Sequence, residues 1–187
     1  MNHSNSSSST SKCRQNFPTV CEDLLNAQIN AELTASYAYF SMHAWCAEDG
    51  TGLPGLTAFY KASYHEELEH AQSFTSYLLQ RGGKLTFSPV NPHSQAGNWT
   101  SALQTLEHAL QLEKDVNSLL LTMAAKADEV GDQHLAELVQ GEFLPEQIEG
   151  LKRLADMITQ LKRAGSEGLG LYIFDQDLVR QQQVKQG

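Results

Sequence analysis

The sequence predicts an all-α fold: four long helices packed as a bundle, one long crossover between the second and third, and a short fifth helix. Three observations carry this prediction. Apolar and small residues recur at three- and four-residue spacing through four long stretches, which is the period of one face of a helix. Strong breakers separate the stretches, namely Asp49-Gly50-Thr51-Gly52, Gly82-Gly83, Gly131, and Gly165 with Gly168. The segment 84–99 holds Pro89, Pro92 and Gly97 with little helical period, so it reads as a connection.

The first helix is expected over residues 20–48. The second opens on Pro54, whose missing N–H needs no partner in a first helical turn, and runs to 81. A helix of that length is about 42 Å long, and the connection after it, if extended, reaches about 50 Å. It can therefore cross back along the whole bundle and set the second and third helices parallel. The third helix is expected over 100–130, closed by Gly131, and Asp132 is a good N-cap for a fourth that runs to 163. Pro145 lies inside this fourth helix, where its ring clashes with the carbonyl of Gly141 at a cost of about 3 kcal/mol in regular geometry. A bend is expected near residues 141–145. Residues 169–180 form the fifth helix, with an apolar face of Leu169, Ile173, Phe174 and Leu178.

The chain of 187 residues suits one domain, expected over 14–180, between a Ser-rich tail (1–13) and a flexible C-terminal tail (181–187). Lys and Arg total 13 against 22 Asp and Glu, a formal charge of -9, with no basic block. That argues against nucleic acid or an anionic membrane surface as partner and suits the attraction of cations. No apolar run approaches the roughly 20 residues of a membrane span, and the tail carries no apolar segment of a signal peptide, so a cytoplasmic location is expected. Cys13, Cys21 and Cys46 make an odd count without metal-ligand spacing and are expected as free thiols.

Each long helix has a polar residue interrupting its apolar stripe near the midpoint. Glu32 follows Leu25 and Ile29 and precedes Ser36 and Tyr39; Glu67 lies on a stripe of Tyr60, Tyr64, Ala71, Phe74 and Leu78. Glu113 stands between Leu106, Leu110, Val116 and Leu120, and Gln147 between Phe143, Leu144, Leu151 and Leu154. His70 follows Glu67 by three residues, one turn along the same face, so the two can share a metal ion. Taken singly, Glu32 or Glu113 has an ordinary reading as a surface carboxylate, Gln147 as a buried amide and Tyr39 as core. Midpoints of packed helices of equal length lie level, however, and four coincident interruptions converge inside the bundle. Buried carboxylates need a partner or a metal. Two carboxylates and an imidazole from Glu32, Glu67 and His70 suit iron, with Glu67 bridging to a second site from Glu113 and Gln147. Val116 stands where a second Glu-x-x-His would place its histidine, so the second iron is expected to bind more weakly. His3, His43, His65, His93, His108 and His134 have no comparable setting.

The residues that carry these features resemble ferritin, specifically the heavy, H-type subunits of animal ferritins. The resemblance spans about 14–176 and rests on Gln28-Ile29-Asn30-Ala31-Glu32-Leu33, Ala35-Ser36-Tyr37-Ala38-Tyr39, His65-Glu66-Glu67-Leu68-Glu69-His70-Ala71, Leu112-Glu113-Lys114-Asp115-Val116-Asn117 and Glu146-Gln147. It implies a ferritin-like bundle that assembles into a shell of 24 subunits, alone or mixed with other ferritin subunits. It also implies a ferroxidase centre of two irons per subunit, where Fe(II) is oxidised by O2 and stored as ferric oxyhydroxide. Glu32, Glu67, His70 and Glu113 match the family's ligands, and Tyr39 and Gln147 its nearby tyrosine and glutamine. On the family's mineral-facing patch Glu66 and Glu69 are kept, but Gln72 replaces the third carboxylate. At the three-fold channel Glu137 keeps a carboxylate where Gln140 does not, and Asp177 stands where many heavy chains have His at the four-fold axis. These departures leave open a cage with weak iron loading and a mainly structural role. A diiron oxygenase acting on an organic substrate is a further alternative, which the single Glu-x-x-His disfavours.

Overall fold

The computed structural model describes residues 11–91 and 97–185, and the Ser-rich tail through residue 10 lies outside them. The described residues are helical with no strand: α1 (Thr19–Ala47), α2 (Pro54–Gln80), α3 (Ala102–Val130), α4 (Gln133–Leu138), a π-helical turn (Val139–Phe143), α5 (Leu144–Ala164) and α6 (Gly168–Lys185). The expected ends of the first three helices hold to within two residues. Their starts follow from local chemistry. Pro54 opens α2, Ser101 caps α3 by accepting the Gln104 N–H at 3.1 Å, and Asp132 caps α4 by accepting that of Leu135 at 3.3 Å. Gly131 ends α3 in the left-handed conformation at φ +78°.

Two expectations are corrected. The fourth helix is not one regular helix but α4 and α5 joined by the π turn, in which the Leu144 N–H reaches the carbonyl of Val139, five residues back. One extra residue in the turn takes up the conflict that Pro145 would create in a regular helix, and places it in the first turn of α5, where no N–H is missed. The fifth helix runs to Lys185 rather than to residue 180, so most of the segment expected as a flexible tail continues α6.

The core divides into two apolar clusters. One gathers Leu25 and Ile29 of α1, Phe74 and Leu78 of α2, Leu120 and Met123 of α3, and Leu135 and Phe143 at the start of the fourth arm. The other gathers Met42 of α1, Leu56 and Tyr60 of α2, Leu106 of α3, and Leu154, Met157 and Leu161 of α5. Reading α2 and α3 in chain order goes from the second cluster to the first, whereas α1 and the fourth arm go the other way. So α2 and α3 run parallel, as the long connection demands. That connection is tied along α1: Asn26 donates to the Lys84 carbonyl (3.0 Å) and accepts from the Thr86 N–H (2.7 Å), and Trp99 Nε1 donates to Ser41 Oγ at 3.2 Å.

The fifth helix is docked by one buried carboxylate. Asp175, 2% exposed, accepts the N–H groups of Gly55 (3.1 Å) and Leu56 (2.9 Å) at the start of α2, where unpaired backbone donors favour an anion. Gly55 is required there, since a Cβ would lie 2.1 Å from the Asp175 carbonyl oxygen.

Candidate metal centre

The boundary between the two apolar clusters is a polar layer. Glu32 of α1, Glu67 of α2, Glu113 of α3 and Gln147 of α5 are all buried there, at 1%, 4%, 8% and 8% exposure. Each occupies a position on its helix that the apolar stripe would otherwise fill, so folding the stripes together forces the four side chains inward. With His70 they line a cavity of about 50 Å³.

Glu32, Glu67 and His70 each bring one ligand atom to within 4.8 Å of the others. His70 Nδ1 lies 3.4 Å from Glu67 Oε2, and its Nε2 lies 3.3 Å from Glu146 Oε2. The Phe143 ring, carried by the π turn, sits edge-on to the imidazole at 5.6 Å between centroids and stacks on Phe74 at 4.0 Å. The imidazole is thus held from three sides, with Nδ1 toward Glu67 and Nε2 toward Glu146. On the other side of Glu67, Tyr39 donates its hydroxyl to Glu113 Oε1 at 2.5 Å. Gln28, one turn before Glu32, donates Nε2–H to Glu32 Oε1 at 2.6 Å.

The electrostatics show a cluster short of positive charge. Burial, and then the charge of Glu67, pushes Glu32 well above the ordinary carboxylate range, with the Gln28 hydrogen bond opposing. Burial and then Glu113 do the same to Glu67, while Glu113 is raised by burial against the stabilising bond from Tyr39. Tyr39 is itself pushed up, by burial first and the Glu113 charge second, so it stays a neutral donor. Glu32 Oε2 receives no hydrogen bond from an N–H or a hydroxyl, and the Glu32 carboxyl lies against that of Glu67. Three carboxyls converging with one imidazole, and a buried carboxylate oxygen without a partner, form a mixed oxygen and nitrogen donor set that fits a divalent cation such as Fe(II).

The other residues singled out from sequence lie outside the buried layer. Glu66 is exposed but lines the mouth of the cavity, and it also lines an adjoining cleft of about 430 Å³ with Glu146, Glu149 and Arg153. Glu69 and Gln72 are exposed on α2 beside a separate groove. Glu137 and Gln140 are exposed around the junction of α4 and the π turn, and Gln140 donates to Asp128 at 3.2 Å. Asp177 is exposed and pairs with Arg180 at 2.9 Å. Sequence reasoning missed the contacts of Glu146, Phe143 and Gln28. Gln28 left a signal, an amide four residues before Glu32 on the same buried face. Glu146 and Phe143 left none, because the π turn sets how they face His70.

Among the described residues no helix is long and apolar enough to cross a membrane. The family model for the ferritin-like domain matches residues 22–164. The chain is 39% identical over 173 residues to the middle subunit of ferritin from Aquarana catesbeiana, covering 91% of this chain and 98% of that one. It is 40% identical over 167 residues to the ferritin heavy chain of Echinococcus granulosus, covering 89% and 95%. It is also 43% identical over 178 residues to chloroplastic ferritin-1 of Brassica napus, covering 92% and 68%. With the bundle, its parallel second and third helices and the buried carboxylate layer in place, these likenesses establish that the chain belongs to the ferritin family of iron-storage proteins.

Proposed function

We propose that this chain is a ferroxidase subunit: it binds Fe(II) in the buried layer, passes its electrons to O2, and stores the Fe(III) as ferric oxyhydroxide in a shell of 24 subunits. The observation that carries this reading is the cluster of buried Glu32 and Glu67 with half-buried His70, in which a buried Glu32 oxygen without a hydrogen-bond partner is one that a cation would satisfy. These three hold one Fe(II). Glu67 lies between Glu32 and Glu113, so Glu113 and Gln147 form a second, weaker position beside the first. Two Fe(II) ions give up one electron each, which reduces O2 to hydrogen peroxide as two protons are taken up. Tyr39 fixes the orientation of Glu113, and Gln147 orients water or a ligand at the second iron. The raised carboxyls release protons as the cation binds. Glu66 offers a carboxylate at the cavity mouth for iron in transit, Glu69 is left for mineral nucleation, and Glu137 for the three-fold channel. The free thiols suit a reducing compartment, and we place the protein in the cytoplasm.

The test is the rate of Fe(II) oxidation by the purified protein and by the double variant Glu67→Lys, His70→Gly. Oxidation at the background rate is expected in the variant, and equal rates refute the reading. The exposed amides Gln72 and Gln140 favour a second reading, a cage that assembles yet loads iron poorly and has a mainly structural role. Iron retained per particle separates the two, and light scattering gives the particle size.

A further inference from the structure

Gln28 is fully buried on α1, and its side-chain amide serves one visible partner, Glu32 Oε1, at 2.6 Å. With the amide nitrogen facing that oxygen, Gln28 donates to the ionised Glu32, the form that binds a cation. The bond leaves Glu32 with Oε2 as its free oxygen, and Glu32 lines the cavity shared with Glu67 and His70. Gln28 keeps an unsatisfied atom of its own, Oε1, so the amide is only half-used in the metal-free protein. A buried amide that is half-satisfied, next to a carboxylate that is half-satisfied, is poorly explained by stability. It is explained by the carboxylate's need for a fixed direction.

We propose that Gln28 is a positioning residue for iron binding: its amide anchors Oε1 of Glu32, so that Oε2 is presented as a single-oxygen ligand to the cation held with Glu67 and His70. The proposal rests on the metal-centre reading above. Without the anchor, Glu32 can rotate about its last torsion, and the ordering lost from the free protein must be regained on binding. Because Gln28 touches no cation itself, its removal alters affinity and leaves the number of sites unchanged.

The experiment uses Co(II), which O2 does not readily oxidise in such a site, titrated by calorimetry into the intact metal-free assembly. Four proteins are compared: native, Glu32→Ala, Gln28→Met, which keeps the bulk and loses the donor, and Gln28→Asn, which keeps the amide and loses the reach. Native binding that Glu32→Ala loses establishes the centre. If the native protein binds no Co(II), or Glu32→Ala binds as the native does, the metal-centre reading fails and the role of Gln28 falls with it. With the centre established, both Gln28 variants are expected to bind about tenfold or more weakly at unchanged stoichiometry. Their KM for Fe(II) is expected to rise more than kcat falls. Native Co(II) affinity in either variant overturns the proposal while leaving the metal centre intact. So does a Gln28→Met protein that melts lower but binds Co(II) normally, which is the signature of a purely structural amide. Should Gln28→Met not fold, Gln28→Asn carries the test.

Discussion

Glu67→Gln keeps the shape of the side chain at the middle of the polar layer and removes its charge. Ligand atoms of Glu32 and Glu67 lie within 4.8 Å of each other, and two unit charges at that distance repel by about 3.5 kcal/mol at an effective dielectric of about 20. The metal-free protein avoids part of this by holding protons: Glu32 lies well above the ordinary value of 4.5 through burial first and the charge of Glu67 second, and Glu67 through burial first and the charge of Glu113 second. The sign follows from linkage. A carboxyl whose folded value is raised contributes stability that is fully present below about pH 4.5 and is lost as pH rises through the folded value. At pH 8 Glu67→Gln is therefore expected to stabilise the metal-free protein by about 2 kcal/mol, or ~4–8 °C in melting temperature for a chain of this size. At pH 4.5 the gain should vanish, because native Glu67 is then protonated in the folded state. The assay is scanning calorimetry of chelator-treated protein at both pH values and a fixed protein concentration, since assembly makes melting concentration-dependent. A lower melting temperature at pH 8, or an equal gain at both pH values, refutes the argument that the cluster is held in repulsion for a cation. The same variant should oxidise Fe(II) more slowly, a trade of stability for function.

Gly55→Ala forces a Cβ against the Asp175 carbonyl at 2.1 Å, so α6 must shift off α2 at a cost of about 1–3 kcal/mol; faster hydrogen exchange along α6 would show it, and native protection would refute it. Pro145→Ala is expected to keep the π turn and change stability by no more than about 1 kcal/mol, because Leu135 and Val139 on one side and Gln147 and Leu154 on the other fix the register; a crystal structure with a regular helix there would contradict this. In thiol labelling at pH 8, exposed Cys13 should react while buried Cys21 and Cys46 do not, since burial pushes Cys46 up to about 12 and raises Cys21 as well; rapid loss of all three thiols in the folded protein would refute it. Gln72→Glu should raise the iron retained per particle with the initial oxidation rate unchanged, and equal retention would remove the nucleation argument.

Helical period and breakers are local properties, and they were enough to place α1, α2 and α3 to within two residues and to level Glu32, Glu67, Glu113 and Gln147 with one another. Pro145 announced an irregularity but not its form. A missing N–H and a steric clash permit a kink, a break or a widened turn, and the packing of Leu135 and Val139 against α1, α2 and α3 selects the last. The contact of Glu146 with His70 Nε2 and the seat of Phe143 on the imidazole follow from that turn, so no spacing rule could have supplied them.

What the sequence by itself determined is therefore the architecture and the identity of the buried carboxylates, because a charge in an apolar stripe is visible at the level of one helix. What only the tertiary structure decided is how those carboxylates are held. Gln28 anchors Glu32, Tyr39 anchors Glu113, and Glu146 with Phe143 brackets His70. Most of these contacts join residues from different helices, and their directions depend on a π turn and on side-chain torsions that exist only once the helices have packed.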